Sequence, residues 1–287
     1  MSLRSSSGAL RHVAYIDRGI VLLNKPAGLV CQAQLPRNAS LESETNENKF
    51  DYLLQGLKNS LNLPDGLFPV HRLDKCTTGS LLLARSASMA RDLSRQFSQR
   101  TIDKYYLAIV RGGRASFPGG EGTVEAALQY NEGRGSLDSS TKTSNSVTSW
   151  KLLATSPVAP LSLIQLKLHT GLKHQLRIHM AQCLRAPILG DALYSSTTSS
   201  KSVGKNISLP KDRVLLHSSF LEFDRFRKSG PNKHLRLGLR SPLPSDFLKL
   251  CSDLSIRIDP EYARGGIYVD GHRIDGPLLT DLDGRWL

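Results

Sequence analysis

Three short stretches of this 287-residue chain carry residue types able to do nucleophilic or acid–base chemistry. The first is His71-Arg72-Leu73-Asp74, where a carboxylate stands beside an imidazole and a guanidinium. An aspartate in that company can serve as a nucleophile, provided a nearby cation favours its ionised form. The same residues also suit a structural His–Asp or Arg–Asp hydrogen bond next to a buried strand. The second stretch, Thr170-Gly171-Leu172-Lys173-His174-Gln175-Leu176-Arg177-Ile178-His179, sets His174 and Arg177 three apart on one helical face. Taken alone it reads as a basic surface helix. The third, Lys104-Tyr105-Tyr106-Leu107-Ala108-Ile109-Val110, has the paired tyrosines of a half-buried strand. Metal chemistry is disfavoured throughout. His71 and Asp74 supply too few ligands, and His169, His174 and His179, five apart, point about 140° away from one another on a helix.

The elements that must position these residues follow from apolar spacing. Val13–Ile16 and Ile20–Leu23 read as short strands around the polar turn Asp17-Arg18-Gly19. Lys25-Pro26-Ala27-Gly28 then breaks the second strand. Phe50, Leu53, Leu54, Leu57 and Leu61 predict an amphipathic helix that ends before Pro64-Asp65-Gly66. Leu81–Ala84 predicts a buried strand directly after the His71–Asp74 cluster. Ser88 is the expected cap of a helix carrying Met89, Leu93 and Phe97 on one face. Strands follow at 105–110, 161–168 and 214–223, and a helix at 174–184. The polar stretches 34–49 and 195–211 read as loops, and 131–149 as a loop or a loosely ordered hairpin tip. Helices interspersed irregularly with short strands point to an α+β fold rather than regular βαβ units.

Charge adds a partner class. Lys and Arg number 38 against 25 Asp and Glu, a formal net charge of +13. The excess belongs to the first 250 residues, because residues 251–287 hold four Arg against seven acids. A basic body suits a polyanion, since each neutralised phosphate releases counterions. Lys25, Arg85, Arg91 and Arg95 are plausible phosphate contacts or merely parts of a solvated face. No apolar run approaches the ~20 residues of a membrane span. Cys31, Cys76, Cys183 and Cys251 are scattered, without a Cys-x-x-Cys pair, so a reducing compartment is the simpler reading. Residues 1–12 hold two Arg, several Ser and no acid, as in a short mitochondrial presequence. The expected organisation is a targeting segment at 1–12, a catalytic body at 13–250 and an extension of unknown role at 251–287.

In this order the three clusters resemble the RluA-like family of pseudouridine synthases. The family's His-Arg-Leu-Asp, Thr-Ser-Gly-like turn and Leu-rich strand are met by His71–Asp74, Thr77-Thr78-Gly79 and Leu81-Leu82-Leu83. Its Lys-x-Tyr-x-Ala strand is met at Lys104, Tyr106 and Ala108, and its Thr-Gly-Arg-x-His-Gln-Leu-Arg-x-His run at 170–179. Asn24–Gly28, Ile188–Asp191 with Tyr194, and Leu216-His217-Ser218 are further echoes. Leu172 departs from the family's usual Arg, and Cys76-Thr77-Thr78 from its acid-Thr-Ser.

The resemblance implies a mixed, largely antiparallel sheet with flanking helices and a central RNA-binding cleft. It implies Asp74 as nucleophile, Arg177 as its ion-pair partner and Tyr106 stacked on the target base. His71, Arg72, Lys104, Lys173 and His174 are the expected RNA contacts, with Arg72 filling the space the base vacates. The reaction oxidises nothing and adds nothing, so no cofactor or metal is expected. The partner is RNA, either rRNA or tRNA, with no membrane, and the chain is expected to be a monomer. The competing readings are an RNA-binding or ribosome-assembly factor with little catalysis, and a carboxylate glycosidase. The second lacks an evident paired carboxylate.

Overall fold

The computed structural model describes residues 6–31, 49–138, 140, 145–195, 213–227 and 233–287. Of the loops expected at 34–49 and 195–211, residues 34–48 and 196–211 lie outside the described residues. The fold is α+β, and the chain divides into two compact units. Unit 1 comprises Met1–Ile102, Leu221–Pro242 and Gly265–Leu287, and unit 2 Asp103–Phe220 and Leu243–Arg264.

In unit 1 a short helix, α1 (Ser6–Leu10), precedes strands β1 (Val13–Ile16) and β2 (Ile20–Lys25). Asp17 closes the turn between the strands by accepting from the N–H groups of Gly19 at 2.7 Å and Ile20 at 2.9 Å. Its buried carboxylate is paired with Arg225 at 3.0 Å, and the Tyr15 hydroxyl donates to it at 3.2 Å. Burial and then Asp17 push the Tyr15 phenol well above its ordinary range. Helix α2 (Lys49–Ser60) packs on α1 and buries Phe50, Leu53 and Leu57, the face read from the sequence. After the two-residue β3 (Phe68–Pro69), strand β4 (Thr78–Ala84) is buried at all seven positions, and its second half, Leu81–Ala84, is the apolar run read from the sequence. Helix α3 (Ala87–Ser98) is capped by Ser86 rather than Ser88. The Ser86 side chain accepts from the Met89 N–H at 3.2 Å, three residues on, where an orphan donor of the first turn lies.

Unit 2 is built on β5 (Asp103–Arg111), β6 (Glu121–Ala126), the hairpin of β7 (Leu128–Asn131) and β8 (Arg134–Leu137), β9 (Ser146–Thr155) and β10 (Leu161–Leu168). The order β5-β10-β9-β6 is antiparallel throughout, with Tyr106 opposite Leu166 and Leu166 opposite Trp150. One α-helical turn, α4 (Gln175–Ile178), runs into a π-helical turn at His179–Cys183. Strand β11 (Leu216–Phe226) starts in unit 2 and ends in unit 1. Helices α5 (Ser245–Asp253) and α6 (Pro260–Arg264) belong to unit 2. Phe247, Leu250 and Ile256 bury with Leu107, Ile109, Leu163 and Leu215 in one core.

The remaining strands return to unit 1: β12 (His234–Arg240), β13 (Gly266–Val269), β14 (His272–Arg273), β15 (Leu278–Leu279) and β16 (Gly284–Trp286). Strand β13 pairs with β12, and β16 pairs with β1 through Tyr15 opposite Trp286. The unit therefore runs β15-β16-β1-β2-β4, antiparallel at each step. Residues after 250 thus complete the cores of both units, with Ile267, Leu279 and Leu282 buried beside Tyr15, Leu22 and Phe223. Gly284 is required by this closure, because a Cβ there would sit 2.1 Å from the Tyr15 hydroxyl.

Candidate active site

In unit 1, Asp74 lies on the loop between β3 and β4 and is half-buried, beside buried Leu73 and exposed Arg72. Its carbonyl accepts from the Thr77 N–H at 3.1 Å, a tight turn into β4. His71 is tied into the fold: its Nε2 accepts from the Leu82 N–H at 2.8 Å, and its ring stacks on Phe97 with centroids 4.6 Å apart. That bond leaves the imidazole proton on Nδ1.

The loop is held from beneath by Lys25. This side chain is only 1% exposed, and its ammonium donates to the carbonyls of Pro26 and Leu29 at 2.9 Å each and of Lys75 at 3.1 Å. The Lys75 carbonyl also accepts from the Gly28 N–H at 2.8 Å, and Gly28 holds φ +86°, a conformation open to glycine. The break in β2 therefore serves to bind the Asp74 loop. Lys25, a candidate phosphate contact on charge alone, is instead an internal clamp: burying an ammonium demands hydrogen-bond acceptors, and three carbonyls supply them. Burial pushes the nearby Cys31 thiol up, while Lys25 and Arg72 pull it down and Asp74 raises it.

In unit 2, Lys104 and Tyr106 alternate onto one face of β5 and are 8% and 7% exposed. The Thr170–Gln175 turn is locked by Gln175, whose Oε1 accepts from the Thr170 hydroxyl at 2.7 Å and the Leu172 N–H at 3.1 Å. Its Nε2 donates to the Val147 carbonyl and the Thr148 hydroxyl at 3.0 Å each. His174 is not helical; it adopts φ 56° and precedes α4, so it does not share a helical face with Arg177. Nor is the helix a surface one, since Gln175 to Ile178 are all buried. Lys173 is exposed, and its carbonyl accepts from the Tyr130 hydroxyl of β7 at 2.8 Å.

Arg177 makes a side-on fork with Asp191. Nε donates to Oδ2 at 2.7 Å and Nη2 to Oδ1 at 2.8 Å, with side chains 9% and 1% exposed. Asp191 Oδ1 also accepts from the N–H groups of Leu193 at 3.1 Å and Tyr194 at 3.3 Å. The Arg177 guanidinium lies 5.2 Å from the Tyr194 ring centroid, and the Tyr194 hydroxyl is 2.9 Å from His174 Nδ1. Removing one partner of such a buried pair costs about 3–5 kcal/mol, because the other is left charged and unpaired.

Sequence reasoning passed over Asp191 as an ion-pair partner, although Gly190-Asp191 stood among the flanking echoes. Its pairing crosses 14 residues and leaves no periodic trace. A 330 Å³ recess in unit 2 is lined by Tyr105, Ser149, Trp150, Lys151, Gln165 and Lys167, and Tyr106 is not among its lining residues. Among the described residues no group of three or more His, Cys, Asp or Glu is placed to hold a metal, and no helix is long and apolar enough to cross a membrane.

Comparison with known proteins bears on the whole arrangement. The RNA pseudouridylate synthase family profile matches residues 19–182. The chain is 34% identical over 223 residues to the tRNA pseudouridine synthase C of Yersinia pestis, covering 74% of this chain and 80% of the relative. It is 34% identical over 218 residues to the ribosomal large subunit pseudouridine synthase D of Borreliella burgdorferi, covering 74% of this chain and 60% of the relative. Among solved structures, human RNA pseudouridylate synthase domain containing 4 superposes with a TM-score of 0.63 at 25% identity, covering 88% of this chain and 96% of that one. The chain belongs to the RluA-like family of RNA pseudouridine synthases, enzymes that isomerise uridine in RNA.

Proposed function

We propose that the chain converts specific uridines of a structured RNA, tRNA or rRNA, to pseudouridine with Asp74 as the nucleophile. The observation that carries this assignment is the half-buried Asp74 carboxylate on a loop whose backbone is clamped by the buried Lys25 ammonium. The Asp74 carboxylate engages the ribose C1′ as the N1–C1′ bond breaks and the base departs. The freed uracil turns, C5 bonds to C1′ as the Asp74 carboxylate leaves it, the C5 proton is lost and N1 gains one, so the atoms of the nucleoside are conserved and the carboxylate is regenerated. Arg177 is the cation that keeps Asp74 ionised. Tyr106 stacks on the extruded base; its phenol is a poor base at neutral pH, so stacking is the role assigned to it. Extruding the uridine costs a few kcal/mol of unstacking, and Arg72, exposed beside Asp74, fills the gap the base leaves. Lys104, Lys173, His174 and His71 support the RNA around it, His71 by holding the loop. No cofactor or metal enters the reaction.

The test uses tRNA and rRNA transcripts carrying tritium at uridine C5, which the isomerisation releases to water. Wild-type protein is expected to release tritium, and Asp74→Asn to lose at least 10³-fold in rate, the order seen when a catalytic group is removed, while binding the same RNA within a few-fold. Tight binding with equal release from both proteins would instead favour an RNA-binding or assembly role. The basic, acid-free composition of residues 1–12 supports mitochondrial residence. A fluorescent fusion of residues 1–20 is expected to enter mitochondria, and a diffuse cytosolic signal would overturn that reading.

A further inference from the structure

We infer that the recess on the outer face of the unit 2 sheet is a second RNA site, taking one unpaired nucleotide of the substrate away from the reacting uridine. This rests on RNA being the substrate and on Tyr106 marking the catalytic face of β5. The strand register puts two rows of side chains on opposite faces of the same four strands. Tyr106, Leu166, Trp150 and Gly122 lie across β5-β10-β9-β6 in one row, and Tyr105, Lys167, Ser149 and Thr123 in the next. Side chains alternate along a strand, so the second row faces away from Tyr106. Two positions along that outer face Gln165 and Lys151 stand opposite each other. Helices α5 and α6 cover only part of it. Leu107 shares a core with Phe247 and Leu250, and Gln165 Nε2 donates to the Tyr262 hydroxyl at 3.2 Å. Around the 330 Å³ recess Tyr105, Ser149, Gln165 and Lys167 stay half-buried, and Thr123 and Lys151 exposed.

An aromatic ring, hydroxyls, an amide and a cation in one hollow are the groups that hold a single unstacked nucleotide. The volume sits near the lower end of small-ligand sites, about 300–1,000 Å³, which suits one nucleotide rather than a helix. Tyr105 is held ready for stacking, with the Phe220 ring centroid 6.0 Å away and Lys167 Nζ 5.2 Å from its own centroid. The two lysines differ. Lys167 is engaged by Asp103 at 2.8 Å, their side chains 32% and 33% exposed. Lys151 meets Glu121 only at 3.9 Å, with side chains 61% and 68% exposed, so water screens that pair and the ammonium is available to a phosphate. Gln165, its Nε2 engaged by Tyr262, keeps Oε1 as an acceptor for a base N–H. The Ser149 and Thr123 hydroxyls, 3.1 Å apart, suit a ribose 2′-OH.

The experiment follows binding by anisotropy of a labelled tRNA or rRNA transcript, and chemistry by single-turnover tritium release from the same RNA. The binding arm uses the Asp74→Asn background. Tyr105→Leu is expected to weaken binding about tenfold, the size of one lost base stack. Gln165→Leu is expected to weaken it about threefold, the size of one lost hydrogen bond. Both keep the net charge, so long-range attraction does not account for their losses. Lys151→Gln, at an exposed position, is expected to reduce the slope of log affinity against log salt by about one. With Asp74 intact, the limiting rate constant at saturating enzyme is expected to stay within about twofold in all three, because the reacting base stacks on the opposite face. Should Tyr105→Leu fold poorly, the other two carry the test. Unchanged affinity and salt slope in Gln165→Leu and Lys151→Gln would overturn the inference and leave the recess to a partner other than RNA. A loss confined to the limiting rate constant would overturn it as well. An active Asp74→Asn would overturn the nucleophile assignment alone, since the binding losses do not depend on it.

Discussion

His179 has no solvent exposure, and its Nε2 lies 2.8 Å from the Ser146 hydroxyl, which donates to the Ala126 carbonyl at 2.6 Å. With the serine proton committed, Nε2 carries the imidazole hydrogen, and the buried Nδ1 meets no partner. Charging this ring would bury a cation beside an unmatched donor, so burial lowers its pKa from 6.5 to about 4. A folded-state pKa below the unfolded one stabilises the protein fully above pH 6.5, and that stability is lost as pH falls from 6.5 toward 4. The total is about 3 kcal/mol. Urea titrations of wild type and His179→Gln at pH 7 and 4.5 should find the wild type losing about 2 kcal/mol more than the variant over that interval. Equal losses would show that this ring does not carry the acid sensitivity. At this scale the sequence disclosed residue types and their order, and placed Asp74, Tyr106 and Arg177 in a family pattern. Partners were less legible: Arg177 with Asp191, and Lys25 with three carbonyls, are contacts that folding creates between distant positions or with backbone.

Amphipathic helices and the more apolar strands were legible because their signals are local, whereas β8 and the start of β9 fall in 131–149, whose Ser, Thr, Asn and Gly content masks them as a loop or hairpin tip. The turn at Asp17 and the apolar faces of α2 and α3 follow from spacing alone. The cap of α3 lay two residues before the serine expected to supply it, since Ser86, Ser88 and the intervening Ala87 offer no sequence cue to which hydroxyl meets a free N–H. Ser86→Ala should cost about 1 kcal/mol and Ser88→Ala only a few tenths, read from thermal melts of the two variants. The reverse ranking would return the cap to Ser88. The segment after Thr170 was harder. Leu176, Met180, Cys183 and Leu184 fit one helix from 174 to 184, yet the chain makes a left-handed step at His174, one α turn and a π turn. Over so few residues apolar spacing cannot separate these periods, and the side-chain network of Gln175 decides the start.

Across the whole molecule, a net charge of +13 makes RNA affinity depend on salt. Binding of the catalytically silent Asp74→Asn to its RNA, followed by anisotropy, should weaken at least tenfold between about 50 and 200 mM salt. An affinity indifferent to salt would remove the charge from the account of binding. Composition also marked residues 251–287 as acidic and unlike the rest, but a change of charge is no boundary of packing. Position 250 falls inside α5, and β16 supplies the outer partner of β1. A chain ending at Pro277 should therefore lose cooperative melting of unit 1, because Tyr15 and the β1 edge are uncovered; an unchanged melt would mean that β16 contributes little. The closure by β16 has a spectroscopic consequence. The protein has two tryptophans, and they fall one to each unit: Trp286 on β16 against the unit 1 core, and Trp150 on β9 beside Phe117 in unit 2. Trp286→Phe leaves an indole emission that reports unit 2 alone, and Trp150→Phe one that reports unit 1. Unfolding curves from the two variants, overlaid, read directly whether the halves of this enzyme come apart together or in turn.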